Sequence, residues 1–270
     1  MKCNFTVRKI ELRDAQPLVE LSRDAGWNQQ EAEIRDIIAR SGENILGAFH
    51  GDVLAGVAAA YCYDAVAFVN EVVVNSAWQN QGIATRLLNE LLPKVLLLCP
   101  TLRLYATGQG RPLYEKIGFV PYGTLCFCQF KNDLSKPSER VRPVLEEDIP
   151  QICALDEDQF GLCREALIRK LFRNAPESAW CIRENGGLQG FILRSHGEWL
   201  LQSRSVEGIA ELVFHANHCA NDSLVVCLWK DDADALSAFV EKHLELTAMQ
   251  YGKLLPFPPK CHSGCLPDIG

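Results

Sequence analysis

The sequence predicts an α/β protein with mixed sheets, built from two tandem copies of one unit of which the second is degenerate, and three observations point there. First, the two halves align without gaps at an offset of 134 residues: VRKIELRDAQPLVEL from Val7 matches VRPVLEEDIPQICAL from Val141. Val7 pairs with Val141, Arg8 with Arg142, Asp14 with Asp148 and Leu21 with Leu155, and the same offset pairs Leu54-Ala55-Gly56 with Leu188-Gln189-Gly190. Second, each half runs from an opening strand into a helix, then an apolar strand, a tight turn and another strand; the turns are His50-Gly51-Asp52 and Asn185-Gly186-Gly187. Third, 270 residues with 48% hydrophobic content exceed one ordinary domain and can fill two cores.

The copies are expected to span 1–133 and 138–270, joined by the polar stretch from Lys131 to Ser138, whose proline and charges suit an exposed linker. Asp14 and Asp148 precede apolar-periodic runs, so they read as helix-capping residues rather than catalysts.

Composition narrows the function classes. The net charge is -7, with 13 basic against 14 acidic residues in 1–133 and 14 against 20 in 134–270. Neither half has the basic excess that nucleic acid or an anionic membrane would attract, so neither is expected as a partner. The longest apolar runs, such as VLLLC at 95–99, fall far short of the ~20 residues of a membrane span, and a cytoplasmic protein is expected. Of twelve cysteines, Cys62, Cys99, Cys126, Cys128, Cys181 and Cys227 sit inside apolar runs, which suits reduced, buried thiols. The tail Cys261-His262-Ser263-Gly264-Cys265 lacks a second ligand pair, and no metal is expected.

Chemistry concentrates in Phe68 to Leu92, FVNEVVVNSAWQNQGIATRLLNELL. Val72-Val73-Val74 read as a β-branched strand; Ile83, Leu87, Leu88, Leu91 and Leu92 then recur at helical spacing. The turn between them, Gln79-Asn80-Gln81-Gly82-Ile83-Ala84-Thr85, opens a helix whose first N–H groups form an anion site, with Gly82 letting a phosphate approach and the small Ala84 keeping the first turn open.

Q-x-x-G-x-A directly after a strand resembles the pyrophosphate-binding signature of the GNAT N-acetyltransferases. A second signature follows the next strand: Leu102 to Thr107, then GQGRPLYEKIGF ending at Phe119. Gly26-Trp27-Asn28-Gln29, with Asp156-x-x-x-Phe160-Gly161-x-x-Arg164 in the second half, is similar to bacterial proteins that join a GNAT domain to a YitH-type C-terminal GNAT-like domain. The resemblance covers nearly the whole chain. It implies transfer of an acetyl group from acetyl-CoA to a primary amine of a small molecule or peptide.

Residue roles follow from the resemblance. Backbone N–H groups of Val72, Val73 and Val74 are placed to donate to the thioester carbonyl and pantetheine, and those of Gln79 to Thr85 to the pyrophosphate. Tyr114 stands where the family aims a tyrosine at the CoA sulfur, a phenol that stays protonated and donates to a departing thiolate. Glu71, at the start of the strand, is the general base, an ammonium anchor or an exposed strand-end carboxylate; Trp27 and Asn28 form the acceptor rim, or Trp27 simply packs on the core. Thr107 falls in the cofactor set, and Arg111 contacts CoA or an acceptor carboxylate, or is simply solvated. Carrying the offset onward places Gln79 opposite Val213 and Gly82 opposite Ala216, so the second copy should lack the phosphate turn and complete the acceptor cleft. Asp156 and Arg164 form an internal ion pair or face the acceptor. The alternative readings are a non-catalytic acyl-CoA sensor or scaffold, or a transferase for a longer acyl chain. A monomer or homodimer fits either.

Overall fold

The computed structural model describes residues 4–27, 29–131, 138–195, 198–219 and 224–256. Its first half contains β1 (Thr6–Lys9), α1 (Ala15–Asp24), α2 (Glu31–Ser41), β2 (Ile45–His50), β3 (Val53–Tyr63), β4 (Val66–Val74), α3 (Ile83–Leu96), β5 (Thr101–Ala106), α4 (Arg111–Ile117) and β6 (Val120–Phe130). The second half repeats that order with β7 (Val141–Pro143), α5 (Ile149–Phe160), α6 (Glu165–Asn174), β8 (Ala179–Glu184), β9 (Gly187–Ser195), β10 (Glu198–Ser203), α7 (Val206–Cys219), β11 (Val225–Trp229), α8 (Lys230–Ala235) and β12 (Val240–Gly252).

The 134-residue offset holds to the residue at α2 and α6, at β2 and β8, and at the start of β3 and β9. It is then lost. Helix α3 begins at Ile83 and α7 at Val206, 123 positions apart: five positions are lost by the ends of β4 and β10, at Val74 and Ser203, and six more where the eight residues between β4 and α3 shrink to Arg204 and Ser205 between β10 and α7. The pairing of Gln79 with Val213 and Gly82 with Ala216 is therefore wrong. The residue before the helix, opposite Gly82, is Ser205.

All twelve strands form one sheet in the order β1-β2-β3-β4-β5-β12-β6-β11-β10-β9-β8-β7. β4 pairs with β5, and β10 with β11, in parallel; the other neighbours are antiparallel. The last strands of the halves are exchanged: β12 lies against β5, and β6 against β11. They also pair with each other, so the sheet is continuous across both halves.

Alternate side chains divide the sheet into two faces. Ala58, Ala60, Ala67 and Val69 pack under α3. Val57, Ala59, Tyr61 and Val73 pack under α1 and α2 on the other face. Phe68, opposite Tyr61 in the ladder, shares that face, where it stacks on Phe160 of α5 with ring centroids 5.5 Å apart. Helices α1, α2, α5 and α6 thus line one side. Asp36 of α2 forms an ion pair with Lys170 of α6, its own counterpart at the 134 offset, which puts the pseudo-two-fold axis between those helices.

The duplicated aspartates do the same job twice. Arg8 holds Asp14 through two bonds of 2.7 Å, and Arg142 and Arg183 hold Asp148. Each carboxylate also accepts the N–H three residues back, Glu11 or Leu145, at 2.9 Å. They close the short turn before the helix and lock it to the edge strand. Close approach explains another matched pair: a Cβ at Gly56 would come 3.0 Å from the Val73 carbonyl, and one at Gly190 3.0 Å from the Gln202 carbonyl.

Of the cysteines expected to be buried, Cys99, Cys126, Cys128, Cys181 and Cys227 are, but Cys62 is exposed. It is the penultimate residue of β3, just past the continuous buried run of that strand. The Cys261–Cys265 tail lies outside the described residues.

Candidate active site

The site is built where β4 leaves its neighbours. Its parallel pairing with β5 stops at Phe68 and Arg103, and the strands part beyond that point. On the other side, the register with β3 jumps between Ala59–Asn70 and Val57–Val73, leaving two residues, Glu71 and Val72, opposite Ala58. Glu71 has φ of 49°, so this is a β-bulge. The bulge re-aims the strand: Asn70 and Glu71, although consecutive, both face the α1/α2 side.

Glu71 is only 8% exposed. Gln29, in the loop between α1 and α2, donates to its Oε1 at 3.2 Å, and Ser22 donates to the Gln29 amide oxygen at 2.7 Å. Burial raises the Glu71 carboxyl to about 7; the Gln29 bond and the charge of Arg40 pull in the opposite direction but do not cancel it. A carboxylate at this value exchanges a proton near neutral pH. Glu71 is thus a buried group inside β4, not an exposed carboxylate at the start of a strand.

The turn after β4 is fixed from both sides. Asn75 accepts from Ala77 N at 3.0 Å, Gln79 donates to Val74 O at 3.3 Å, and Asp24 at the end of α1 accepts from Ser76 N and Oγ at 2.6 and 2.8 Å. Asn80 and Gly82 both have positive φ, 61° and 80°. Gly82 supplies the left-handed entry to α3, its carbonyl takes the first helical bond from Arg86 N at 3.0 Å, and no side chain caps the helix. The N–H groups of Ile83, Ala84 and Thr85 are left pointing out of the helix end. A Cβ built on Gly82 meets nothing within 4 Å, so there is room in front of them.

Of the three valines, Val73 is buried under α1 and α2, while Val72 and Val74 are half-buried against α3. Tyr114 of α4 is half-buried against the α3 core, edge-on to Phe119 at 5.8 Å. Burial raises its phenol well above the ordinary range, and no hydrogen bond joins its hydroxyl to the described residues. Thr107 is exposed; its hydroxyl accepts from Gly110 N at 3.2 Å, starting α4. Arg111 is exposed and bonded to Glu115 at 2.7 Å on the solvent side of α4. Trp27 is 41% exposed beside the loop that carries Gln29. Asn28 lies outside the described residues.

Sequence reasoning gave no role to Gln29, which holds Glu71, or to Asn70. One signal was present: two adjacent polar residues in AFVNEVVV interrupt an otherwise apolar strand, which regular alternation does not accommodate. In the second half, Asp156 and Arg164 form a fully buried ion pair at 2.9 Å, with the guanidinium over the Phe160 ring at 3.7 Å.

Residues 19–127, which hold the bulge, the turn and Tyr114, match the family model of the acetyltransferase (GNAT) domain. Over that segment the chain is similar to the GNAT acetyltransferase domain. It is 24% identical over 194 residues to the uncharacterized N-acetyltransferase YitH of Bacillus subtilis strain 168, a match covering 68% of this chain and 66% of that protein. Among solved structures, a Pyrococcus horikoshii protein described as an acetyltransferase superposes with a TM-score of 0.83 at 20% identity, covering 97% of this chain and 94% of that one. A GCN5-related N-acetyltransferase of Sphaerobacter thermophilus gives 0.68 at 16% identity, covering 92% and 95%. These structures show that the fold extends over both halves. The matched family model and the relative are those of acetyltransferases. Among the described residues no group of three or more His, Cys, Asp or Glu gathers to hold a metal, and no helix is long and apolar enough to cross a membrane.

Proposed function

We propose that the chain transfers an acetyl group from acetyl-CoA to a primary amine of a small molecule or peptide, with catalysis in 1–133, while 138–270 is a degenerate copy that completes the acceptor cleft. The observation that carries this is the uncapped end of α3, set directly after the bulge at Glu71. An anion site and a buried carboxylate of near-neutral proton affinity stand at the two ends of one short strand segment.

The N–H groups of Gln79 to Thr85 hold the pyrophosphate, with Gly82 keeping the approach clear. The backbone of Val72 to Val74, released from β5 and partly from β3, takes the pantetheine and polarises the thioester carbonyl. Glu71, held by Gln29, accepts a proton from the acceptor ammonium. The neutral nitrogen then attacks the carbonyl carbon, the C–N bond forms and the C–S bond breaks. Tyr114 donates its hydroxyl proton to the departing thiolate, and the second proton that the nitrogen loses on becoming an amide returns to the phenolate through solvent. Trp27 supplies an aromatic rim to the acceptor entrance. Thr107 and Arg111 act at the margin, since both are already engaged in α4.

Thiol release from acetyl-CoA across a panel of amines tests the reading. Amine-dependent release with matching acetylated product is expected; binding of acetyl-CoA with no release for any amine would make the protein a sensor.

A further inference from the structure

Resting on that reading, the acceptor itself leaves a trace in the protein. Both polar atoms of the Asn70 side-chain amide, Oδ1 and Nδ2, are shut off from solvent, and neither has a hydrogen-bond partner among the described residues. Buried amides are nearly always paired, so a fold that leaves one open on both sides bears a cost. The cost is not required by the architecture. In the ladder Asn70 stands opposite Ala59, and the corresponding pair in the second half is Leu193 with Leu200. Leu200 is fully buried there, so an apolar side chain fills this place in the same fold.

The position says what the amide faces. Asn70 lies two residues past Phe68, the last residue of β4 paired with β5, at the point where the strands part. Its ladder partner is the small Ala59. The bulge puts it on the same face as Glu71, the immediately following residue. In a regular strand consecutive side chains point to opposite faces. Here a ligand that meets Glu71 with one group meets Asn70 with the adjacent one.

We propose that Asn70 is a specificity-determining residue that binds the acceptor, and that the acceptor carries a primary amide beside its reacting amine, as an α-amino carboxamide does. The Asn70 Nδ2 donates to the ligand carbonyl and its Oδ1 accepts from the ligand N–H. The amine, two bonds from that carbonyl, then sits against Glu71. An amide is the complement of an amide because it offers one donor and one acceptor, which a simple alkylamine cannot.

Two probes differing by that group, L-phenylalaninamide and 2-phenylethylamine, test the assignment by thiol release. The wild-type protein should favour the amide by at least about tenfold in kcat/KM, since a site with polar groups to satisfy rejects the analogue lacking them. Asn70→Leu should erase the preference while keeping acetyl-CoA affinity by calorimetry. It should melt no lower than wild type, a behaviour that a structural asparagine would not show. Equal use of both amines by the wild type, a preference that survives in Asn70→Leu, or a marked loss of stability in the variant overturns the assignment. So does acetylation of neither probe by a protein that binds acetyl-CoA, which leaves the donor site intact. Failure to bind acetyl-CoA at all would instead bring down the proposed function on which it rests.

Discussion

The two halves share strands, helices and even their buried Arg–Asp locks, yet differ at the point where chemistry is expected. In the first half, eight residues separate β4 from α3, and the helix opens at Gly82 with no side chain over its end. In the second, two residues separate β10 from α7, and Ser205 Oγ accepts from Gly208 N at 3.1 Å. The carbonyls of Gly82 and Ser205 each take the first helical bond, from Arg86 and Ile209, so these positions correspond. One helix end leaves its N–H groups uncapped; the other satisfies one internally. The strand before each helix differs in the same sense. β4 is bulged at Glu71, whereas β10 pairs with β9 without interruption from Glu198 to Ser203. Helix α8, in the place of α4, reads Lys230-Asp231-Asp232-Ala233-Asp234-Ala235 and has no phenol. The two copies are set apart here by a loop deletion, a lost bulge and a cap.

The largest effect should come from closing the open helix end. Gly82→Asp places a negative charge in front of Ile83, Ala84 and Thr85, and aspartate is among the few side chains that tolerate a φ of 80°. Calorimetry should give one acetyl-CoA site per wild-type chain and no measurable binding in the variant, with circular dichroism unchanged. Two equivalent sites in the wild type would erase the distinction between the halves.

Tyr114→Phe removes one oxygen and keeps the ring against Phe119. If the phenol protonates the thiolate, kcat should fall by ~10²–10⁴-fold with acetyl-CoA affinity nearly intact. A loss confined to affinity would make Tyr114 a packing or binding residue. Wild-type turnover would mean that water or another group protonates the sulfur.

Much of this contrast was legible in the sequence, and its limits have physical causes. The repeat was visible because edge strands, Arg–Asp locks and the Gly56 and Gly190 contacts constrain residue identity in both copies. The exchange of β6 and β12 was not, since strand pairing between residues more than a hundred apart leaves no local period. The shift of offset after β9 was hidden because a deletion in a surface loop costs little and leaves flanking patterns intact. At the site, the resemblance singled out Gln79 to Thr85 and Tyr114, which the fold sets at the start of α3 and on α4. The bulge that buries Glu71 shows itself only as the pair Asn70-Glu71, and the support from Gln29 crosses from another element.

Glu71→Gln sharpens the comparison from the stability side. A carboxyl raised to about 7 in the folded protein favours its protonated form; it costs nothing below the ordinary carboxylate range, and stability is lost as pH rises from about 4.5 through about 7. The loss should be on the order of 2–3 kcal/mol. At pH 8 Glu71→Gln should therefore melt above wild type, and the difference should vanish near pH 4.5. Its kcat/KM should fall by about 10²-fold, and the rise of the wild-type rate through pH 7 should flatten. Equal melting at both pH values would show that the carboxylate is better solvated than its burial indicates.

The smallest effect should come from the mirror of the first substitution. Ser205→Asp puts the same charge at the corresponding helix end, but in a half where that end is already capped. Aspartate is as good an N-cap as serine, so it takes over the bond from Gly208 N, and its charge is favourable at a helix N-terminus. Stability should move by no more than about 0.5 kcal/mol. Acetyl-CoA affinity should stay within about twofold of wild type, because no phosphate approaches α7. The pair of substitutions, identical in charge and in place within the repeated unit, isolates what the eight-residue turn adds. A loss of acetyl-CoA binding in Ser205→Asp comparable to that in Gly82→Asp would put the phosphate on α7 as well, and the second copy would then have to be read as a working site.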